Sequence, residues 1–246
     1  MLNHYKQQGY TVVPKLFNSN QLDEIENVIK DFHQAWIEDN QTFYNNQAIN
    51  SSGLTGIQYL EEEQRRQLFE FISSDELINV VKKIIPNPTF LNTQLFFDPV
   101  NIKQNNYWHR DIQYDLDIEE QKAVIAKNSS MPHFRIPLVS EKGIELIPRS
   151  HRRWDTAEEL DVRLQRNGRL PHHNLPNGKI IEVKRGDLLI FSAKMLHRGI
   201  YGGNRFAFDV LFTEQDSPYL KHSPPDYLPS IEQLAHLPNK EVFERE

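Results

Sequence analysis

Residues 186–197, Gly-Asp-Leu-Leu-Ile-Phe-Ser-Ala-Lys-Met-Leu-His, combine a Gly-Asp turn, an apolar run of strand length and a histidine. A short apolar run that is bounded by turn residues is typical of a buried β-strand. The segment therefore predicts a strand over residues 188–192 that ends near His197 and offers this imidazole as a metal ligand.

The same pattern fills most of the chain after Pro88. Apolar or alternating stretches separated by turn residues predict further strands over residues 89–97, 107–114, 133–139, 143–147, 179–183 and 205–213. Short strands that do not alternate with helices favour a jelly roll over a doubly wound sheet. We therefore predict a mainly β fold, a cupin-like double-stranded β-helix with flanking N-terminal helices.

Helical periodicity is confined to the first part of the chain. Apolar residues recur at helical spacing after residues 18–20, and two more helices are predicted over residues 61–71 and from Ser74 to a stop before Pro86. We predict one domain over residues 1–246, with a mainly helical part (1–88), a jelly-roll core (89–213) that contains a polar insertion (150–177), and a tail (214–246).

The composition limits the class of protein. The 246 residues carry a net charge of -6, which argues against a general nucleic-acid binder. No apolar run reaches membrane-spanning length, and the first residues lack the pattern of a secretory signal. We expect a cytoplasmic protein with neither membrane nor nucleic-acid partners. Because cysteine is absent, a metal ion would have to be held by His, Asp or Glu.

The segment Tyr107-Trp108-His109-Arg110-Asp111 supplies the other candidate ligands. Residues two apart on a strand point to the same side, so His109 and Asp111 can face one point. Two His and one carboxylate on one face of an octahedral ion leave three positions open, as in non-haem Fe(II) oxygenases. We predict that His109, Asp111 and His197 are the metal ligands and the catalytic residues.

Arg205 begins an alternating stretch in which Asp209 shares its face. That face is predicted to point into the barrel, where a buried arginine needs a carboxylate partner. The distal carboxylate of 2-oxoglutarate would satisfy it through a bidentate pair, and Asp209 is the competing partner.

These segments resemble the phytanoyl-CoA dioxygenase family of 2-oxoglutarate oxygenases over residues 5–212. Residues 108–111 resemble its W-H-x-D motif, and Arg205 matches its 2-oxoglutarate arginine. Residues 8–14 resemble its N-terminal part, residues 143–151 its G…(I/V)-P-G-S-H segment, and residues 186–197 its G-D…H segment. There are two departures. Arg149 replaces the glycine that usually precedes Ser-His, and the interval from His197 to Arg205 is short.

The resemblance implies Fe(II) held by His109, Asp111 and His197, 2-oxoglutarate and O2 as cosubstrates, and release of succinate and CO2. Hydroxylation of a C–H bond in a small molecule is the expected reaction, and desaturation and cyclisation stay open. The chelating end of 2-oxoglutarate is expected to contact polar side chains, for which the candidates are Asn92, Gln94 and Tyr114. Three residues are expected to shape the strand and the loop beneath the site: Trp108, Ser150 and His151.

The insertion is rich in Arg and His and would attract an anionic substrate if it covered the mouth of the barrel. The alternative is a solvated loop whose cations pair with its own acids. Two other functions also stay open: a non-oxidative cupin-like isomerase or hydrolase, which would not need Arg205, and a non-catalytic ligand-binding protein of the same fold.

Overall fold

Two antiparallel sheets form the core of the computed structural model, which describes residues 1–127 and 130–245. The larger sheet has the order β1 (Tyr10–Val13), β7 (Leu188–Ser192), β4 (Pro132–Pro137), β9 (Phe206–Glu214), β3 (Pro88–Phe97), β2 (Asn50–Ser52). The smaller sheet has the order β6 (Lys179–Val183), β5 (Glu141–Leu146), β8 (His197–Gly199). His109 pairs with His197 in an isolated antiparallel bridge, which adds a fourth position beside β8. The predicted double-stranded β-helix is confirmed.

The described part of the chain has eight α-helices, and those before Pro88 share one hydrophobic cluster with the larger sheet. They are α1 (Leu2–Gln8), α2 (Ser19–Asp39), α3 (Gln41–Asn46), α4 (Glu62–Ile72), α5 (Asp75–Ile84), α6 (Ile118–Ala126), α7 (Ala157–Arg163) and α8 (Ile231–Leu234). Asn18 caps α2 by accepting a hydrogen bond from the backbone N–H of Gln21, as the sequence around residues 18–20 predicts. The predicted helices over residues 61–71 and after Ser74 are confirmed as α4 and α5, whereas α1, α3, α6, α7 and α8 were not anticipated.

Strand β9 separates the hydrophobic core from the interior of the barrel. Phe208 and Val210 are buried in the same cluster as the apolar face of α2, which includes Ile29. Asp209 and Leu211 lie on the opposite face because successive side chains of a strand alternate. This face carries the polar residues into the barrel, in agreement with the alternation in the sequence.

The predicted strand over residues 107–114 is wrong. Only His109 forms a β-bridge, and the chain turns at once into a 3₁₀ helix over Asp111–Tyr114. The turn is fixed by tertiary contacts: the backbone N–H of Asp111 donates to Ala193 O, and the Arg110 guanidinium donates to Ser150 O and to Asp155. These contacts come from remote parts of the chain, so the strand-like pattern could not reveal them.

The strand over residues 188–192 is confirmed, but it does not continue toward His197. Residues 193–196 cross to the smaller sheet, where His197 begins β8. Beyond β5, the insertion over residues 150–177 contains a 3₁₀ turn (Ser150–Arg152) and helix α7. No helix in the described part of the chain is both long and apolar enough to cross a membrane.

Candidate metal and cosubstrate site

A cavity of about 750 Å³ opens into the barrel and is lined by residues from both sheets. His109, Asp111 and His197 all line it, although they come from a bridge segment, a 3₁₀ helix and β8. The Oδ1 atom of Asp111 lies 3.4 Å from His109 Nε2 and 3.7 Å from His197 Nε2. One ligand atom from each residue lies within 4.8 Å of the others, so the three predicted residues converge on one point.

The backbone orients both imidazoles toward this point. The Nδ1 atom of His109 lies 3.1 Å from Tyr107 O, and that of His197 lies 3.1 Å from Met195 O. An Nδ1–H that donates to a carbonyl leaves the Nε2 lone pair free to face a metal ion. Burial lowers the pKa of His197 to about 3, so its ring is neutral at pH 7.

The carboxylate of this site is ionised. Burial opposes ionisation of Asp111, but the neighbouring imidazoles, chiefly His197 and His133, hold its pKa well below its usual range. Two imidazole nitrogens and one anionic oxygen suit a divalent first-row metal such as Fe(II), so the donor set fits the metal that the resemblance implies.

A third histidine of the site, which sequence reasoning missed, is buried and also contacts the carboxylate. His133 Nε2 lies 3.2 Å from Asp111 Oδ2, and His133 Nδ1 lies 3.2 Å from Asp209 Oδ2. Asp209 in turn accepts two hydrogen bonds from Arg135, at 2.7 Å and 2.9 Å. Burial would lower the pKa of His133, but Asp111 and Asp209 raise it to about 9. Period-two alternation, which places His133 and Arg135 on one face of β4, was the signal that could have found them.

In the described part of the chain, no acidic side chain lies within ion-pair distance of the Arg205 guanidinium, and the expected competitor, Asp209, pairs with Arg135. The Arg205 side chain is buried, and its Nε has no hydrogen-bond acceptor within residues 1–127 and 130–245. The guanidinium carbons of Arg205 and Arg135 lie 4.9 Å and 4.2 Å from the centre of the Phe96 ring. Burial and the charge of Arg135 lower the pKa of Arg205 to about 10.

The carboxylate of Asp98 holds the short turn between His197 and Arg205. The backbone N–H groups of Gly202, Gly203 and Arg205 all donate to Asp98 at 2.9–3.1 Å. Asp98 follows β3 directly, so this contact ties the turn to the larger sheet and places Arg205 at the start of β9.

The other three predicted cosubstrate residues line the same cavity. Gln94 lies opposite Asp209 in the register of β3 and β9, and Asn92 sits at the irregularity of β3, where its Oδ1 accepts from the backbone N–H of Thr93. Tyr114 lies at the rim, 60% exposed, with its hydroxyl 3.0 Å from that of Tyr107.

Two residues of the family-like segments make hydrogen bonds that hold the segments of the predicted metal ligands. The Ser150 hydroxyl accepts from the backbone N–H of Leu196, next to His197, and the Trp108 indole donates to His173 O. Arg149 has a φ of 69°, in the left-handed region. Glycine adopts this conformation without a Cβ penalty, which explains why a glycine is expected at this position.

A family profile for phytanoyl-CoA dioxygenase (PhyH) matches residues 5–201, which is most of the chain. The chain belongs to the phytanoyl-CoA dioxygenase family. As a member of this family it is a non-haem enzyme that uses Fe(II), 2-oxoglutarate and O2, and the converging His, Asp and His residues agree with this.

Solved structures of similar fold include other 2-oxoglutarate-dependent proteins. AviO1 from Streptomyces viridochromogenes shares 12% identity over 88% of this chain and 95% of its own, with a TM-score of 0.61. HygX from Streptomyces hygroscopicus, with nickel and 2-oxoglutarate bound, shares 12% identity over 87% and 86%, with a TM-score of 0.61. SnoK, an α-ketoglutarate-dependent carbocyclase, shares 13% over 87% and 83%, with a TM-score of 0.54. A sequence search of curated proteins gave no match.

Proposed function

We propose that this phytanoyl-CoA dioxygenase family member hydroxylates a C–H bond of a small molecule, converting 2-oxoglutarate and O2 to succinate and CO2. The observation that carries the proposal is the convergence of His109, Asp111 and His197 in the cavity that also holds Arg205, whose buried Nε has no acceptor among the described residues. A non-oxidative isomerase or hydrolase would have no use for that arginine.

In the proposed mechanism, His109 and His197 bind Fe(II) through Nε2 and Asp111 binds it through Oδ1. When bound, the iron supplies activation of O2, driven by oxidative decarboxylation of 2-oxoglutarate. The protein orients the side chains that would hold the ion: the carbonyls of Tyr107 and Met195 hold the two rings, and all three side chains line the cavity in which the cosubstrate and the substrate would bind. Hydroxylation is the default outcome, because desaturation or cyclisation requires a particular placement of the substrate.

Arg205 is proposed to bind the distal carboxylate of 2-oxoglutarate. A buried cation without an acceptor is costly, and a bidentate carboxylate would satisfy it. Arg135 Nη1, a second buried donor atom without an acceptor, also belongs to a residue that lines the cavity. Asn92, Gln94 and Tyr114 remain predictions for the polar contacts of the chelating end.

The substrate is proposed to be a neutral or amine-bearing polar molecule. The prediction of an anion rested on the insertion, but Arg153, Arg163 and Arg169 pair with acids of the insertion, and no arginine of residues 149–185 lines the cavity. The rim instead carries aromatic side chains, amides, one carboxylate and a histidine 3.9 Å from that carboxylate: Phe43, Gln47, Gln104, Tyr107, Tyr114, Asp115, Tyr219 and His222. Aromatic faces and a carboxylate favour an ammonium group over an anion.

Single-turnover chemistry tests the proposed reaction. Fe(II)-loaded protein and 2-oxoglutarate are mixed without O2 and then exposed to it, and succinate is measured with the wild type, His109→Ala, Arg205→Ala and the exposed control Arg66→Ala. We expect succinate with the wild type and Arg66→Ala, none with His109→Ala, and recovery with Arg205→Ala only at much higher 2-oxoglutarate. Equal yields from wild type and His109→Ala would contradict the proposal.

A further inference from the structure

The two oxygens of the Asp111 carboxylate face different groups. Oδ1 faces the Nε2 atoms of His109 and His197. Oδ2 is buried and accepts no hydrogen bond of regular geometry in the described part of the chain, but His133 Nε2 lies 3.2 Å away, within ion-pair distance. One oxygen of the carboxylate thus faces the two predicted histidine ligands, and the other faces the imidazole of His133.

The backbone alone does not orient this carboxylate. Asp111 begins a 3₁₀ helix rather than standing on a strand, so its side-chain direction is not set by a sheet. A rotation about the bond between its Cβ and its carboxyl carbon would exchange the two oxygens or turn both toward the metal. A group that holds Oδ2 would prevent that rotation.

His133 is itself rigidly placed. It stands in β4, between β7 and β9 in the larger sheet, opposite Phe191 on one side and Leu211 on the other. Its ring stacks on Phe191, with 4.8 Å between ring centres and 19° between planes. Its Nδ1 contacts Asp209, which Arg135 holds through two hydrogen bonds. These residues form an alternating chain of acids and bases from the metal side to the cosubstrate side: Asp111, His133, Asp209 and Arg135.

We propose that His133 is a positioning residue that holds Asp111 Oδ2, keeps the carboxylate monodentate toward the metal through Oδ1, and is anchored by Asp209. This inference rests on the proposed role of Asp111 as a metal ligand. His133 is not a member of the converging group formed by the three ligand atoms, so it acts through Asp111. Residues that hold a metal ligand in place by contacting it change metal affinity by about 10- to 100-fold.

Anaerobic titration with Co(II), read from its visible absorption, tests the proposal without turnover. We expect His133→Phe, which keeps an aromatic ring against Phe191 but has no polar atom, to weaken Co(II) binding by about 10- to 100-fold. His133→Gln, whose amide N–H can still reach Asp111, should recover part of this loss, and Asp209→Asn should lose less than His133→Phe. His33→Phe, which replaces a histidine packed among aromatic rings on α2, is the matched control and should bind as the wild type does.

A folded His133→Phe protein with wild-type Co(II) affinity and spectrum would overturn the proposal. If His133→Phe does not fold, as judged by its thermal unfolding, His133→Leu replaces it, and wild-type Co(II) binding by a folded His133→Leu protein would do the same. Electron spin-echo spectroscopy of the Cu(II)-loaded wild type should count two coordinated imidazoles, and a count of three would make His133 a ligand instead. A wild type that binds no Co(II) would defeat the proposed function itself, whereas equal binding by wild type and His133→Phe defeats only the positioning role.

Discussion

Gly199 and Arg205 are packed so closely that a methyl group on Gly199 would lie 2.5 Å from Arg205 Nη1. The flexible end of the arginine would have to move, and the guanidinium would leave the position in which it is proposed to meet 2-oxoglutarate. We expect Gly199→Ala to weaken 2-oxoglutarate binding about tenfold, roughly the 1.4 kcal/mol of one weakened charge-assisted hydrogen bond.

The measurement is a 2-oxoglutarate titration of the Co(II)-loaded protein. Gly203→Ala is the matched control, because a methyl group there would meet no atom within 4 Å and the residue keeps its backbone N–H for Asp98. Co(II) affinity should be the same in both variants. A Gly199→Ala protein with unaltered 2-oxoglutarate affinity would show that Arg205 does not bind the cosubstrate in this position.

The left-handed conformation of Arg149 predicts a stabilising substitution. A residue with a Cβ is strained in this conformation, and glycine is not. Part of this gain is lost because glycine has a larger conformational entropy in the unfolded chain. We expect Arg149→Gly to raise the free energy of unfolding by about 0.5–1 kcal/mol. Urea unfolding measures it. Arg149→Ala keeps the Cβ and should not give the gain, so equal stabilisation by both variants would remove the conformational explanation.

His33 predicts a dependence of stability on pH. Burial beside Trp36, Tyr44 and Phe97 lowers its pKa to about 4, and its Nδ1 has no hydrogen-bond partner among the described residues. Between pH 6.5 and 4 the unfolded chain therefore binds a proton that the folded protein does not, so the stability falls as the pH falls through this window.

His33→Phe should lose this part of the slope. Because the histidine is partly exposed, we expect the wild type to lose about 1–2 kcal/mol more than the variant between pH 7 and pH 4. Urea unfolding at both pH values gives the difference, and His236→Phe, at an exposed position, reports the generic effect of the exchange. Parallel pH profiles for the wild type and His33→Phe would contradict the assignment.

The convergence of the three predicted ligand residues follows from the sequence more readily than the local structure that carries them. His109 and Asp111 were placed together by strand geometry, yet they converge because Arg110 and Ala193 turn the chain into a 3₁₀ helix. Strands β3, β6 and β7 could be predicted because their patterns are local. The turn at Asp111 could not, because it depends on contacts between residues 40 or more positions apart.

Residues that act in pairs were harder to find than those within motifs. Arg205 and Asp209 share a face, and the sequence could not decide whether they pair with one another. Arg135, on a neighbouring strand, forms the ion pair with Asp209, so Asp209 is not the partner of Arg205. Strand order in space decides this pairing, and strand order is not a local property of the sequence.

Crystallography of the protein soaked without O2 in Fe(II) and 2-oxoglutarate is the most direct measurement of the central claim. We predict one anomalous iron peak within bonding distance of His109 Nε2, Asp111 Oδ1 and His197 Nε2, with 2-oxoglutarate chelating the ion and its distal carboxylate on Arg205. An iron peak elsewhere, or one that any of these three side chains fails to reach, would contradict the account.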